Sequence, residues 1–294
     1  MNRATNDAKR LPVIASVAEL AMRLSQRHLA DYGAARSRHD FTQRQLLSCL
    51  VLRAYLKTTY RGVLEYLAVS DTLRQRLGLW DKLPHFTTLQ KFSTRSHVVA
   101  IVQQLIGTIG QAAARQEPAP AAAAMDATGL ATSTASEYSR SRTGTRCNQW
   151  VKVSTVVLCG SLLPVGLVLS LGPSNDRTQA EALLTQAQAV SRPATLYADG
   201  GYAAEWIHER CREQWGVESV IQPLNHRPDG TRSGRWRSGM SKDHLRERGY
   251  GRRWAVESFF SGLKRTMGAA LNARRPKQML AEAAFRVLAY ALRR

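Results

Sequence analysis

Residues 250–264 read Tyr250-Gly-Arg-Arg253-Trp-Ala-Val-Glu257-Ser-Phe-Phe-Ser-Gly-Leu-Lys264. On a helix of 3.6 residues per turn, Tyr250, Arg253, Glu257 and Lys264 fall within one sector about 60° wide. Val256, Phe259, Phe260, Leu263 and Met267 form a separate apolar stripe on the same wheel. The pattern predicts an amphipathic helix that buries the stripe and carries the polar quartet along its edge. One carboxylate is then held at the rim of a core beside two cations and a phenol. That grouping suits a metal ion and a phosphate. The competing reading is a solvated helix face that happens to carry charge.

The chain around this helix is strongly basic. Lys and Arg number 42 against 22 Asp and Glu in 294 residues, a formal charge of +20. A surplus of that size, rich in arginine, points to a polyanion and above all to nucleic acid. Cys49, Cys147, Cys159 and Cys211 include no Cys-x-x-Cys pair, so neither a zinc ribbon nor a disulfide framework is indicated. His208 and Cys211 stand three apart and read as two surface residues of one helix. No signal-peptide pattern opens the chain. The stretch from Val153 to Gly172 lacks charge, but Gly160, Ser161 and Pro164 divide it into two apolar halves. It reads as two buried strands joined by a turn, and no membrane span is expected.

Residues 13 to about 116 carry helical periodicity. Thr42-Gln-Arg-Gln45 is a capping-box pattern opening a helix. Pro84 to Phe92 predicts a turn, a threonine cap and another helix. These short helices fit a helix-turn-helix unit for DNA, and fit equally a bundle used for packing or dimerisation. Pro118 and Pro120 mark a boundary. From Ala122 the pattern becomes three strands, then helix, strand, helix, strand and helix, which predicts a mixed α/β sheet with helices packed on it. Residues 223–249 read as irregular and arginine-rich, with Arg227, Arg232, Arg235, Arg237, Lys242, Arg246 and Arg248. The expected division is 1–118 for DNA binding or dimerisation, 119–276 for the α/β unit, and 277–294 for a last helix packed on it.

Asp126 and Asp199 each follow apolar residues and precede small ones, which places them at strand ends, where an α/β sheet presents its ligands. If Glu257 reaches the same edge, three carboxylates converge and repel. Two Mg²⁺ ions about 3.5–4 Å apart relieve that repulsion and suit in-line displacement at a phosphodiester. Taken singly, Asp126 fits a backbone cap and Asp199-Gly200 a common turn.

Asp126, Asp199 and Glu257 resemble the Asp-Asp-Glu triad of bacterial insertion-sequence transposases. The quartet matches the Tyr-(2)-Arg-(3)-Glu-(6)-Lys signature of the IS4-type and IS5-type groups without a gap, and the similarity runs from about residue 84 to 290. Asp126-Ala-Thr-Gly and Asp199-Gly-Gly-Tyr belong to it. The resemblance implies a ribonuclease H-like fold and two Mg²⁺ ions, with Mn²⁺ as a substitute. Asp126 would bridge both ions, and Asp199 and Glu257 would hold one each. Tyr250, Arg253 and Lys264, with the neighbouring Arg252, would grip DNA phosphates. The expected partners are terminal inverted repeats and target DNA, gripped by a homodimer in the bacterial cytoplasm, at the nucleoid. Relatives carry a larger insertion before the Glu helix. Here Arg235, Trp236 and Arg237 occupy that place, and Trp236 either stacks on an unpaired base (~1–3 kcal/mol) or packs within the protein. A structure-selective nuclease and a non-catalytic DNA-binding regulator are the alternatives.

Overall fold

The computed structural model describes residues 12–36, 38–132, 150–224 and 233–294. Cys147, Arg227 and Arg232 lie outside them. The chain divides into two compact units, Met1–Leu105 with Phe285–Arg294, and Ile106–Ala284.

The first unit is helical: α1 (Val13–Ser25), α2 (Gln43–Tyr55), α3 (Tyr60–Ala68), α4 (Asp71–Leu77), α5 (Phe86–Ser93) and the start of α6 (Val98–Ala114). Helix α2 is its centre, with Leu47, Leu50, Val51 and Leu52 fully buried, and it packs on α1, α3 and α5. The capping box forms as expected: Gln45 N donates to Thr42 Oγ1 at 3.3 Å, and Thr42 N donates to Gln45 Oε1 at 2.8 Å. The expected threonine cap of α5 does not. The extended residue before that helix is His85, and Thr87 Oγ1 instead pairs with His85 Nδ1 at 2.8 Å. Pro84 fixes the turn, and the helix starts before either threonine reaches a free N–H.

The second unit is built on a five-stranded sheet of order β3-β2-β1-β4-β5. The strands are β1 (Ala122–Ala131), β2 (Trp150–Leu158), β3 (Pro164–Leu171), β4 (Thr195–Ala198) and β5 (Glu218–Ile221). β1, β2 and β3 pair antiparallel, while β4 lies parallel to β1 and β5 to β4. The charge-free stretch is the β2–β3 hairpin, whose Val153, Thr155, Val156, Val157 and Val165 are buried. Its turn is clamped by Glu117, whose carboxylate accepts from Gly160 N at 3.1 Å and Ser161 N at 2.7 Å. β1 runs ten residues, and its pairing with β2 continues to Ala131 opposite Trp150. No single helix among the described residues is long and apolar enough to cross a membrane.

Helix α7 (Arg177–Val190) packs on β2 and β3 through Ala180, Leu183, Leu184 and Ala187. Helix α8 (Glu205–Glu209) passes into a π-helical turn over Arg210–Trp215. His208 and Cys211 are buried there rather than on a surface. His208 Nδ1 meets Ser219 Oγ of β5 at 2.7 Å, and burial pushes the Cys211 thiol up to about 12. Within 223–249, helix α9 (Lys242–Glu247) replaces part of the irregular stretch, because Ser241 Oγ accepts from His244 N at 3.1 Å and caps it. The quartet segment is a 3₁₀ turn over Tyr250–Arg253 followed by helix α10 (Trp254–Met267), which packs on β1 and β2. The last helix is α11 (Pro276–Arg293).

Candidate active site

Parallel pairing of β1 and β4 sets Met125 beside Ala198. One residue further stand Asp199, just past the end of β4, and Asp126, which lies midway along β1 rather than at the strand end expected, because β1 goes on pairing with β2 after β4 has stopped. The chain then diverges. β1 continues, with Ala127 N donating back to Asp126 Oδ1 at 2.7 Å, while Asp199 opens a 3₁₀ turn by accepting from Gly201 N at 3.0 Å.

Helix α10 crosses this edge. Val256, Phe259, Phe260, Leu263 and Met267 are buried as the wheel predicts, and Phe259 and Phe260 meet edge to face with centroids 5.7 Å apart. The opposite face offers Glu257, which is largely exposed. Arg253 joins it to the strands: Nη1 donates to Asp126 Oδ2 at 3.2 Å, and Nη2 is hydrogen-bonded to Glu257 Oε1. One guanidinium therefore pairs with both Asp126 and Glu257, and its charge also acts on Asp199. Among the described residues no three His, Cys, Asp or Glu side chains stand close enough to grip an ion as they are.

Burial pushes the Asp126 carboxyl up to about 6, and the Asp199 and Asp176 charges push the same way against Ala127 N–H and Arg253. Asp199 is also raised, by burial and then by Asp176. Carboxylates so placed lack positive charge, and every donor is a hard oxygen. The residues present fit a divalent cation such as Mg²⁺.

Tyr250 Oη donates to the Ala198 carbonyl at 3.1 Å and lies 3.3 Å from Gln222 Oε1. It pins the strand end just before Asp199, and its ring meets Tyr197 edge-on at 6.5 Å. Lys264 lies two turns beyond Glu257 on α10 and is half-buried. Arg252 is exposed on the 3₁₀ turn. Arg235, Trp236 and Arg237 gather beside α8. Glu205 accepts from Trp236 N at 2.8 Å and Arg237 N at 3.1 Å. The guanidinium carbons of Arg212 and Arg235 each lie 4.6 Å from the Trp236 ring centre, so the half-buried indole packs against cations of its own chain.

Sequence reading missed Asp176 and Lys152. Asp176, just before α7, looks like a helix cap yet makes no cap bond. Lys152 Nζ lies 2.5 Å from Asp176 Oδ1 and donates to the Ser174 carbonyl at 2.7 Å. A lone lysine inside a strand of valines was the available signal.

Asp126 within β1 and Asp199 just past β4 thus stand side by side, with Arg253 of the 3₁₀ turn and Glu257 of α10 brought to Asp126. The family model for the transposase DDE domain matches residues 117–292, more than half of the chain, and the protein belongs to that family. No curated relative matches the sequence.

Proposed function

We propose that this transposase cuts double-stranded DNA at terminal inverted repeats and joins the freed ends to target DNA. Asp126, Asp199 and Glu257 would carry the chemistry on a ribonuclease H-like sheet. The observation that carries the reading is the register that seats Asp126 and Asp199 side by side, with Glu257 tied to Asp126 through Arg253.

In the first step a water oxygen attacks the phosphorus in line, the bond to the transposon-end sugar oxygen breaks, and that oxygen leaves as a 3′-hydroxyl. In the second, that 3′-oxygen attacks a target phosphodiester and the target's own 3′-oxygen departs. Asp126, Asp199 and Glu257 would hold two Mg²⁺ ions, which activate the attacking oxygen and offset charge on the leaving one when bound. Mn²⁺ would serve in their place. Asp126, fixed within β1, and Asp199, fixed just past β4, need little rearrangement. Arg253 is held between acids and exchanges one of them for a phosphate oxygen, a stronger bidentate partner. Tyr250 keeps the strand end in place and, with Lys264 and Arg252, faces the DNA backbone. The residues 235–237 cluster adds positive charge beside the path, and Trp236 offers its ring to an unpaired base. Two ends must be gripped together, so a homodimer on DNA is part of the reading.

The experiment is incubation of the full chain with Mg²⁺, a plasmid carrying the DNA that flanks its gene, and a second, target plasmid. Ends cut and joined to the target support transposition. Ends cut and never joined favour a structure-selective nuclease, and binding without cutting favours a regulator.

A further inference from the structure

From Ser258 to Ala281 the chain carries no acidic residue and five cations, Lys264, Arg265, Arg274, Arg275 and Lys277. Arg265 is exposed beside Lys264 near the end of α10, and Arg274, Arg275 and Lys277 are exposed where the following loop enters α11. Among the described residues none of the five closes an ion pair or a hydrogen bond. The same unit pairs Arg210, Arg212, Arg235, Arg246, Arg248 and Arg253, each 3.2–3.7 Å from a carboxylate oxygen. A run of exposed cations left without counter-charge suits a polyanion.

The loop that presents these cations is held at two points. Ala131 N donates to the Ala269 carbonyl at 3.0 Å and Leu271 N to the Ala131 carbonyl at 2.7 Å, so residues 269–271 are stitched to the far end of β1. Glu282 of α11, itself buried, accepts from Asn272 N at 3.2 Å and Ala273 N at 2.9 Å. Both of its oxygens are thus turned to the backbone just before Arg274. A backbone fixed in this way lowers the ordering cost of gripping a ligand. Ala131 lies five residues along β1 from Asp126, about 17 Å at the rise of a strand. Helix α10 covers the same interval, from Arg253 at Asp126 to Met267 near Ala269. One strand of duplex DNA advances about 3.4 Å per nucleotide, so the loop begins about five nucleotides from a phosphate held at Asp126.

We propose that Arg265, Arg274, Arg275 and Lys277 form a second phosphate-binding strip, which holds the backbone of the end duplex about five nucleotides or more from the cut. The inference rests on the reading that Lys264 grips end DNA, and it extends that grip along the same duplex. Contacts of this kind go to phosphates and carry no base sequence, so the strip sets affinity and register rather than the choice of repeat.

Filter binding of the full chain to a duplex fragment of the DNA that flanks its gene, across a salt series, tests it. The triple variant Arg274→Ala, Arg275→Ala, Lys277→Ala should lower the slope of log affinity against log salt by about 3, close to one for each lost phosphate contact. The double variant Arg274→Lys, Arg275→Lys keeps the charge and should keep the wild-type slope. Ethylation of phosphates about five or more nucleotides from the cut should weaken wild-type binding and cease to matter in the triple variant. A wild-type slope in the triple variant overturns the strip and leaves the proposed function standing. A wild type whose binding does not depend on salt overturns the phosphate-gripping reading itself, and this inference with it. Should the triple variant fail to fold, Arg275→Ala decides, with an expected loss of about 1 in the slope.

Discussion

Arg253 Nη1 lies 3.2 Å from Asp126 Oδ2, an ion pair in which each side chain is about four-fifths buried. The guanidinium neutralises an acid that would otherwise stand unpaired beside Asp199, and its other arm holds Glu257. Arg253→Ala should destabilise the metal-free protein by about 1–3 kcal/mol, the cost of stranding a charged hydrogen-bond partner. The same variant should gain more stability from added Mg²⁺ than the wild type does, because the competing cation is gone. Thermal melts with and without Mg²⁺ measure both effects. An equal Mg²⁺ increment in the two proteins would show that Arg253 does not occupy the cation's place.

The Asp126 carboxyl is raised to about 6 from its ordinary 3.8, first by burial. The folded state then takes up a proton between pH 6 and pH 4 that the unfolded chain does not, so this group favours folding as pH falls through that range and opposes it above. Asp126→Asn should therefore stabilise the metal-free protein at pH 7, by up to about 3 kcal/mol for a shift of this size, and the gain should shrink toward pH 4. Denaturant melts at pH 4.5 and pH 7.5 test the sign. His208 acts in the opposite direction. Burial lowers it to about 4, so its contribution is complete above pH 6.5 and is lost as pH falls toward 4. The Asp126→Asn difference isolates one group from the other.

Lys264 and Glu257 share a helix face two turns apart, and the proposed roles separate them. Lys264→Ala should weaken binding to end DNA and reduce the slope of log affinity against log salt by about 1, the signature of one lost phosphate contact. Glu257→Gln should leave that slope unchanged and stop cutting. Filter binding across a salt series resolves the two, and an unchanged slope for Lys264→Ala would remove it from the DNA contacts.

Gly110 of α6 illustrates packing against propensity. Alanine is the better helix former by about 1 kcal/mol. Yet a Cβ at 110 would stand 2.7 Å from the Pro164 carbonyl oxygen and 3.0 Å from Val165, backbone that opens β3. Gly110→Ala should destabilise by about 1–3 kcal/mol through overpacking. A stabilised variant in a urea melt would show that the strand can yield.

Much of the α/β unit was legible in the residues. The buried stripe of α10 was legible because a 3.6-residue period leaves a local signature, and the β2–β3 hairpin because Gly160 and Pro164 interrupt an apolar run; Asp126 looked like a strand end because the small residues after it hide the continuation of β1. What escaped depends on contacts distant in sequence. Asp176 meets Lys152 across 24 positions and Gly201 across 25, and nothing local distinguishes it from a helix cap. His208 and Cys211 looked superficial because their burial comes from β5, which follows them. The first turn of the quartet is 3₁₀ rather than α, following Gly249 at φ 67°, and this tightening is invisible to a helical wheel.

The most direct test of the central claim is Mg²⁺-dependent nicking of end DNA by Asp199→Asn. The variant keeps the Gly201 turn, because an asparagine oxygen accepts the same backbone bond, and it should bind end DNA as the wild type does. Its single-turnover nicking rate should fall by at least about a thousandfold, roughly 4 kcal/mol of transition-state stabilisation. Nicking by Asp199→Asn at the wild-type rate would contradict the assignment of phosphodiester chemistry to Asp126 and Asp199.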